Sequence, residues 1–408
     1  MVPRQAGNVR SRDLDDPVSL TTHIQRARPD TSEIRPSAIF LFDPLLALAA
    51  IGLVACSFVT LHGAFGSSLA DRQLAYAAIG AVIALVLARI DYSRLREYRY
   101  GLYAVLIVSN IAVYGFGEST LGAQRRIPFP FIQVQPSELA KVLLIVALAA
   151  FAVDRTRRLH ERQTTARIML LALAPALLVI AQPDLGTGMV FVAIAVTMLF
   201  VAGTSWKQLT ALAALFLASI AIVLVVAPAL GVHPLSSYQT QRLTGFLHPS
   251  SNAGSQTYQI HQSIIAIGSG QKTGTGITNA TQTTLNFLPE PSDDFIFAVV
   301  GESFGFAGAA FVLALYALLI WRTLRILTMA KNLYGTLIAA GILGMLMFQV
   351  FVNVGMTIGI MPVTGVPLPL MSYGGSSVLV TFIALGLLQS IHIQARIASA
   401  GKGRALLS

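Results

Sequence analysis

Acidic residues that could act as general bases are rare in the second half of this sequence. After Glu161 the chain contains only five carboxylates, which are those of Asp184, Glu290, Asp293, Asp294 and Glu302. Asp293 and Asp294 directly precede the apolar run Phe295-Ile296-Phe297. An acid at such a position could cap a helix or accept a proton in catalysis, and spacing alone leaves both interpretations open.

Glu138, Lys141 and Glu302 lie inside apolar segments, where a charge is costly unless it is paired or functional. Glu138 and Lys141 are three residues apart, which predicts an ion pair on one helix face, with Ser137 as the N-cap residue. Lys141 is expected to lie well inside the membrane and to face a polar cavity. Glu302 follows Asp294 by about two helical turns, and it could form a buried pair with Lys141.

The composition indicates that a lipid bilayer positions these groups. Hydrophobic residues make up 55% of the 408-residue chain and charged residues 11%, whereas about a quarter of the residues are charged in soluble domains. A spanning helix needs roughly 20 apolar residues. Ten segments fit, at 43–61, 73–91, 100–117, 138–154, 167–182, 186–204, 208–229, 295–321, 336–360 and 375–395. The sequence therefore predicts an all-α polytopic membrane protein of about ten transmembrane helices.

The placement of lysine and arginine predicts the orientation of these helices. With both termini in the cytoplasm, 22 of the 28 basic residues lie on the inner side and 5 on the outer side, and Lys141 lies within a span. This asymmetry follows the positive-inside rule. The five late carboxylates then all lie on the outer side or in the outer part of a helix. The formal charge of +10 accordingly reflects membrane orientation, and no nucleic-acid partner is predicted.

The same topology divides the chain into a polar cytoplasmic tail at 1–40, a membrane domain at 41–395 and a cytoplasmic C-terminal tail at 396–408. Two outer segments stand out: a short loop at 118–137 and a long one at 230–294, between the seventh and eighth helices. The long loop is rich in Ser, Thr, Gln and Gly and is expected to be structureless. Loops of this length are usually functional.

Six ordered blocks within residues 43–395 resemble the SEDS proteins, the RodA/FtsW family. The longest runs from Pro362 to Ser377 and includes Ser372, Tyr373 and Gly374. The others are Asn353-Val354-Gly355-Met356, Gln135-Pro136-Ser137-Glu138 with Lys141, Gln182-Pro183-Asp184-Leu185-Gly186, the loop residues Arg242, Tyr258-Gln259, Gln262-Ser263 and Gly274-Thr275-Gly276, and Leu288-Pro289-Glu290 with Asp294 to Phe297. The form Gly365-Val366-Pro367-Leu368-Pro369 is more similar to RodA than to FtsW.

The resemblance implies a peptidoglycan glycosyltransferase of the bacterial inner membrane that polymerises lipid II and works with a class B penicillin-binding protein. It implies that Asp294 is the catalytic general base. Implied substrate-binding residues are Arg242, Lys141, Glu138, Asp184, Gln259, Gln262, Ser263, Arg125, Arg126, Lys272, Glu302, Ser372 and Tyr373. No protein metal site is predicted, although a divalent cation (Mg²⁺ or Mn²⁺) could help to neutralise the diphosphate.

Three positions depart from the family pattern. Asp293 stands where Thr or Ser is expected, Gln271 where a glycine often follows Ser-Gly, and Arg125-Arg126 where an Arg-Trp pair is common. The double acid raises the question of which carboxylate acts. Alternatives to an elongation polymerase are a flippase for the lipid-linked precursor, a division-type (FtsW-like) polymerase, and a scaffold that anchors a penicillin-binding protein.

Overall fold

The computed structural model describes residues 42–116, 118–120, 123–128, 133–155, 161–231, 255–285, 287–288 and 290–405, and these form an almost entirely helical protein. The helices are α1 (Pro44–Phe65), α2 (Ser67–Arg89), α3 (Arg99–Phe116), α4 (Pro136–Val153), α5 (Arg162–Ile180), α6 (Leu185–Val201), α7 (Trp206–Ala229), α8 (Ser255–Gly270), α9 (Thr281–Thr284), α10 (Ile296–Met329), α11 (Leu333–Thr357) and α12 (Gly375–Ala405). A 3₁₀ segment, Tyr92–Tyr98, precedes α3.

Each of the ten predicted spans corresponds to one of these helices. Eight of them are long and apolar enough to cross a membrane, namely α1, α2, α4, α5, α7, α10, α11 and α12. The apolar helix α6 has 17 residues and α3 has 18. The multi-pass helical class is therefore confirmed, while the total of ten spans and the cytoplasmic position of both termini stay predictions.

The loop predicted at 118–137 contains the only strands among the described residues. They are β1 (Glu118–Thr120), β2 (Ala123–Pro128) and β3 (Gln133–Val134), which form an antiparallel sheet in the order β1-β2-β3. In the strand register, Glu118 lies opposite Arg126, and Ile127 lies opposite Val134. This small sheet leads directly into the first turn of α4.

Helices α4, α11 and α12 form the centre of the bundle, because about four-fifths of each spanning window is buried inside the protein. Helix α4 packs against α3, α6 and α11, and α12 packs against α2. At the other extreme, none of the spanning window of α7 is buried. A charged side chain on α4 is consequently shielded from lipid, which matters for Glu138 and Lys141.

The expectation of a structureless loop at 230–294 is wrong, because this segment contains the 16-residue helix α8. Helix α8 packs against α10 and contacts α11. The buried Ser263 hydroxyl donates to the Thr357 carbonyl oxygen at 2.7 Å. The polar composition of α8 concealed its packing face, since 7 of its 16 residues are Ser, Thr or Gln.

The chain between α8 and α9 fills a break in α10. Gly305 has a φ of 64° and a ψ of −160°, which interrupts the helix. The carbonyl oxygens of Glu302 and Ser303 accept from the amides of Thr275 and Gly276. The amides of Phe306 and Ala307 donate to the carbonyl oxygens of Gln271 and Lys272. In an unbroken helix the amides of Phe306 and Ala307 would donate to the carbonyl oxygens of Glu302 and Ser303. The 271–276 segment supplies new partners for all four groups, as buried backbone requires. The predicted span at 295–321 corresponds to α10, and the sequence analysis did not predict the break within it.

Candidate active site

A tight turn at the start of α10 carries the two adjacent acids. The carbonyl oxygen of Glu290 accepts from the amides of Asp293, Asp294 and Phe295 at 3.2–3.4 Å. Phe295 occupies the N-cap position and makes no side-chain cap bond. Neither acid is therefore the N-cap residue of α10, so capping in its simplest form does not account for them. Both side chains are half-buried.

Hydrogen bonds hold both acids in this turn. Ser292 donates its hydroxyl to Oδ1 of Asp293 at 3.0 Å, so a neighbouring side chain engages that carboxylate. The backbone of Asp294 is also held, because its carbonyl oxygen accepts from Nδ2 of Asn353 at 2.9 Å. The same Nδ2 donates to the carbonyl oxygen of Val366 at 2.8 Å. Asn353 thus ties the Asp294 turn to the loop between α11 and α12.

Hydrogen bonds connect this loop, residues 358–374, to the helices and to the turn that carries Asp294. The Ser372 hydroxyl is buried and accepts from the Leu368 amide at 2.8 Å. The Tyr373 amide donates to the Ser292 carbonyl oxygen at 2.9 Å. The Tyr316 hydroxyl donates to the Pro369 carbonyl oxygen at 2.6 Å. Ser372 and Tyr373 therefore position the turn that carries Asp294, and their contact with substrate stays a prediction.

Two buried polar residues on α1 and α2 form hydrogen bonds with the same loop. Nε2 of Gln73 donates to the Ser372 carbonyl oxygen at 2.9 Å, and Oε1 of Gln73 accepts from the Gly374 amide at 3.3 Å. The Ser57 hydroxyl donates to the Met371 carbonyl oxygen at 2.7 Å. Sequence reasoning missed both residues. The available signal was a glutamine and a serine within otherwise apolar spans, where polar groups usually have a fixed partner.

Asp184 joins the first turns of α4 and α6. It is the N-cap residue of α6, since its Oδ1 accepts from the Thr187 amide at 3.1 Å. Its Oδ2 accepts from the Thr187 hydroxyl at 3.0 Å and from Nε2 of Gln135 at 3.1 Å, with the Ser137 hydroxyl at 3.5 Å. Asp184 has a structural role, because its carboxylate is buried and accepts these hydrogen bonds from both helix starts. Its role in binding substrate stays a prediction.

The start of α4 contacts the beginning of α12, and the start of α6 contacts the 358–374 loop. The Gln135 amide donates to the Ser376 hydroxyl at 3.0 Å. A Cβ atom at Gly186 would lie 2.6 Å from the Thr364 carbonyl oxygen, so only glycine permits this approach. The sequence blocks containing Gln135, Gly186, Asp294 and Asn353 therefore meet around this loop and the start of α12, although they are far apart along the chain.

Glu138 and Lys141 form the predicted ion pair. Nζ of Lys141 lies 2.7 Å from Oε2 of Glu138, and only 2% and 3% of the two side chains are exposed. The suggested N-cap at Ser137 is wrong, because α4 begins at Pro136 with Gln135 as its N-cap residue. The buried pairing of Lys141 with Glu302 is also wrong, since each residue has other partners.

Glu302 is completely buried and binds the start of α9. Its Oε1 accepts from the Gln282 amide at 2.8 Å, and its Oε2 accepts from the amide and the hydroxyl of Thr283 at 3.1 and 2.7 Å. A carboxylate that accepts backbone N–H groups at a helix start compensates its desolvation. Glu302 therefore holds the 271–285 segment against α10.

The remaining predicted binding residues are only partly described. Gln259 and Gln262 are half-buried on α8, and Lys272 is exposed just after it. Arg125 and Arg126 lie in β2, where only the backbone is described, and Arg242 lies outside the described residues. The described part of the chain contains no group of three or more His, Cys, Asp or Glu side chains that could hold a metal ion.

Comparisons with known proteins agree with this architecture. Residues 36–397 match the FtsW/RodA/SpoVE family model, described as cell cycle protein. The peptidoglycan glycosyltransferase MrdB of Escherichia coli (strain K12) is 38% identical over 361 residues, which cover 88% of this chain and 95% of MrdB.

Two solved structures are similar over 86% of this chain. One is described as structural coordination of polymerization and crosslinking by a peptidoglycan synthase complex. Its matching chain is 33% identical, the match covers 97% of that chain, and the TM-score is 0.72. The other is the rod shape determining protein RodA of Thermus thermophilus, which is 28% identical, is covered to 96% and gives a TM-score of 0.63.

Proposed function

Since the chain belongs to the FtsW/RodA/SpoVE family of cell cycle proteins, we propose that it polymerises lipid II into glycan strands, with Asp294 as the general base. The broader assignment is firm: the chain is a multi-pass peptidoglycan glycosyltransferase of the bacterial inner membrane, as its relatives and its helical fold indicate. The similarity to MrdB and RodA, together with the Gly365-Val366-Pro367 form of the loop, favours a role in cell elongation.

The observation that carries the proposal is the placement of Asp294. Its half-buried carboxylate stands at the mouth of α10, on a turn that Asn353 and the 358–374 loop hold in place. A general base needs a fixed position and access to the hydroxyl whose proton it accepts. Asp294 is the better candidate of the two acids, because it stands at the position of the essential aspartate in the family pattern, whereas Asp293 stands where Thr or Ser is expected.

The chemistry needs one base and one site of positive charge. A hydroxyl oxygen of the acceptor sugar attacks the anomeric carbon of the donor, while its proton passes to Asp294. The bond from that carbon to the diphosphate oxygen breaks, and undecaprenyl pyrophosphate leaves with the electron pair. Cations stabilise the leaving diphosphate. Lys272, Arg125, Arg126 and Arg242 are the candidates that the outer loops offer.

A divalent cation stays a prediction. Mg²⁺ is commonly held by one or two carboxylates together with substrate phosphates, and the adjacent Asp293 and Asp294 could supply the protein share. When bound, the cation would neutralise charge on the diphosphate. The proton transfer assigned to Asp294 does not depend on it.

The direct experiment is glycan-strand synthesis from purified lipid II by the full chain, with and without a class B penicillin-binding protein. That partner is proposed because one similar chain comes from a peptidoglycan synthase complex. We expect strands with the wild type and none with Asp294→Ala, at equal folded yield. Full activity of Asp294→Ala would remove the assignment of this residue as the base.

The flippase alternative loses its main structural support. It drew on buried charges at Lys141 and Glu302, but Lys141 is neutralised by Glu138, and Glu302 is bound to the start of α9. Neither group lies exposed along a polar path through the described bundle. Transfer of lipid II across liposomes by a polymerisation-inactive Asp294→Ala variant would favour the flippase instead.

A further inference from the structure

A separate cavity of about 480 Å³ opens at the far end of α4. It is lined by Tyr100, Tyr103, Phe151, Asp154, Arg155, Arg167, Leu170 and Leu171. Helix α4 runs for 18 residues from Pro136 to Val153, and its rise places the cavity about 27 Å from the first turn of that helix. The cavity is therefore distinct from the candidate active site and lies at the end that the basic residues assign to the cytoplasm.

The rim of the cavity is positively charged. Among the described residues that line the cavity Asp154 is the one acid, and Arg96 and Arg99 already bind this carboxylate at 2.8 and 3.1 Å. Arg155 and Arg167 add two more positive charges. Four arginines thus surround one aspartate, which leaves a net charge of about +3 at the expected surface of the membrane.

The wall of the cavity is apolar and open to lipid. Phe151 packs edge-to-face against Tyr100 and Tyr103, with ring centroids 5.4 and 6.0 Å apart. The Tyr103 hydroxyl donates to the Leu171 carbonyl oxygen at 3.0 Å. Tyr100 is 67% exposed and Leu170 is 66% exposed. An acyl chain could lie along these side chains while the arginines hold an anionic headgroup.

We propose that this cavity binds an anionic phospholipid, with its phosphate between Arg155 and Arg167 and one acyl chain along Tyr100 and Leu170. Basic pockets between transmembrane helices on the cytoplasmic side suit such headgroups. Arginine also forms strong, directed bonds to phosphate. The site goes beyond the proposed glycosyl transfer and does not depend on Asp294.

The test is native mass spectrometry of the delipidated full chain, titrated with phosphatidylglycerol and, separately, with phosphatidylcholine. The variant Arg155→Gln/Arg167→Gln removes two charges from the rim. We expect it to bind phosphatidylglycerol about 25-fold more weakly, at about fivefold for each arginine, with phosphatidylcholine binding unchanged. Arg325→Gln/Arg396→Gln is the matched control, because it also removes two charges, and both arginines are exposed and do not line the cavity.

Two further arms separate a lipid site from a site for free phosphate. Leu170→Asn should weaken phosphatidylglycerol binding, and sn-glycerol 3-phosphate should compete with the lipid only weakly. The proposal is overturned if Arg155→Gln/Arg167→Gln and the control Arg325→Gln/Arg396→Gln lose affinity equally. It is also overturned if phosphatidylcholine binds as tightly as phosphatidylglycerol, or if sn-glycerol 3-phosphate binds as tightly as the lipid.

Discussion

Removing the Asn353 side chain should impair catalysis more than it impairs folding. Asn353→Ala deletes the two bonds from Nδ2, at 2.9 and 2.8 Å, that join Asp294 to Val366. Each lost bond leaves a carbonyl oxygen poorly satisfied, which costs about 1–3 kcal/mol. We expect the variant to lose about 2–4 kcal/mol of stability, since the freed turn can move toward polar neighbours.

The functional loss follows from geometry. A displacement of about 1 Å of a reacting group can lower the rate about 100-fold. With the Asp294 turn no longer anchored, we expect kcat for lipid II polymerisation to fall by about that factor. The KM should change little, because Asn353 is fully buried and does not meet the substrate. The assay is steady-state glycan synthesis, with thermal unfolding measured on the same preparation.

Gln389→Ala provides a matched control at the opposite end of the bundle. The Gln389 side chain is also buried and makes two backbone bonds, one from the Asp43 amide at 2.9 Å and one to the Asp43 carbonyl oxygen at 3.0 Å. It should lower stability by a similar amount and leave kcat near the wild-type value. An unchanged kcat in folded Asn353→Ala, or an equal fall in Gln389→Ala, would refute the positioning role.

Three further predictions concern buried charge and backbone strain, and thermal unfolding of the purified protein measures all of them. Glu302→Gln should cost about 1–3 kcal/mol, because one amide oxygen cannot replace a carboxylate that binds two backbone amides and Thr283; an unchanged midpoint would contradict this. Lys141→Met should cost about 3–5 kcal/mol by leaving Glu138 buried and unpaired, and adding Glu138→Gln should recover much of that loss. Gln271 has a φ of 45°, so Gln271→Gly should stabilise by about 0.5–1 kcal/mol, and a destabilised variant would count against strain there.

Much of the helical framework could be predicted from the sequence, because spanning segments must be long and apolar. The pairing of Glu138 with Lys141 was also accessible, since residues three apart on a helix are neighbours. The backbone conformation of Gln271 could not be predicted from the sequence. Its left-handed backbone explains why glycine is common at that place in the family pattern, although the sequence alone shows only a departure.

Other features depend on contacts between distant segments, so no local pattern reveals them. The apolar run through Gly305 is continuous, and the break is stable only because the 271–276 segment supplies the missing hydrogen bonds. Glu302 was expected to need a positive partner, yet backbone amides about 20 residues away satisfy it. Asn353 stood inside a recognised block, but its role required knowing that Asp294 and Val366 are adjacent.

The most direct measurement is a single-turnover assay of Asp294→Asn with purified lipid II, combined with a lipid II binding measurement. Asparagine keeps the shape of the side chain and removes its basicity. We expect strand formation to fall by about 100- to 10,000-fold with binding retained, while Asp293→Asn loses only part of the activity. Near-normal turnover by Asp294→Asn, or a larger loss in Asp293→Asn, would contradict the assignment of Asp294 as the base.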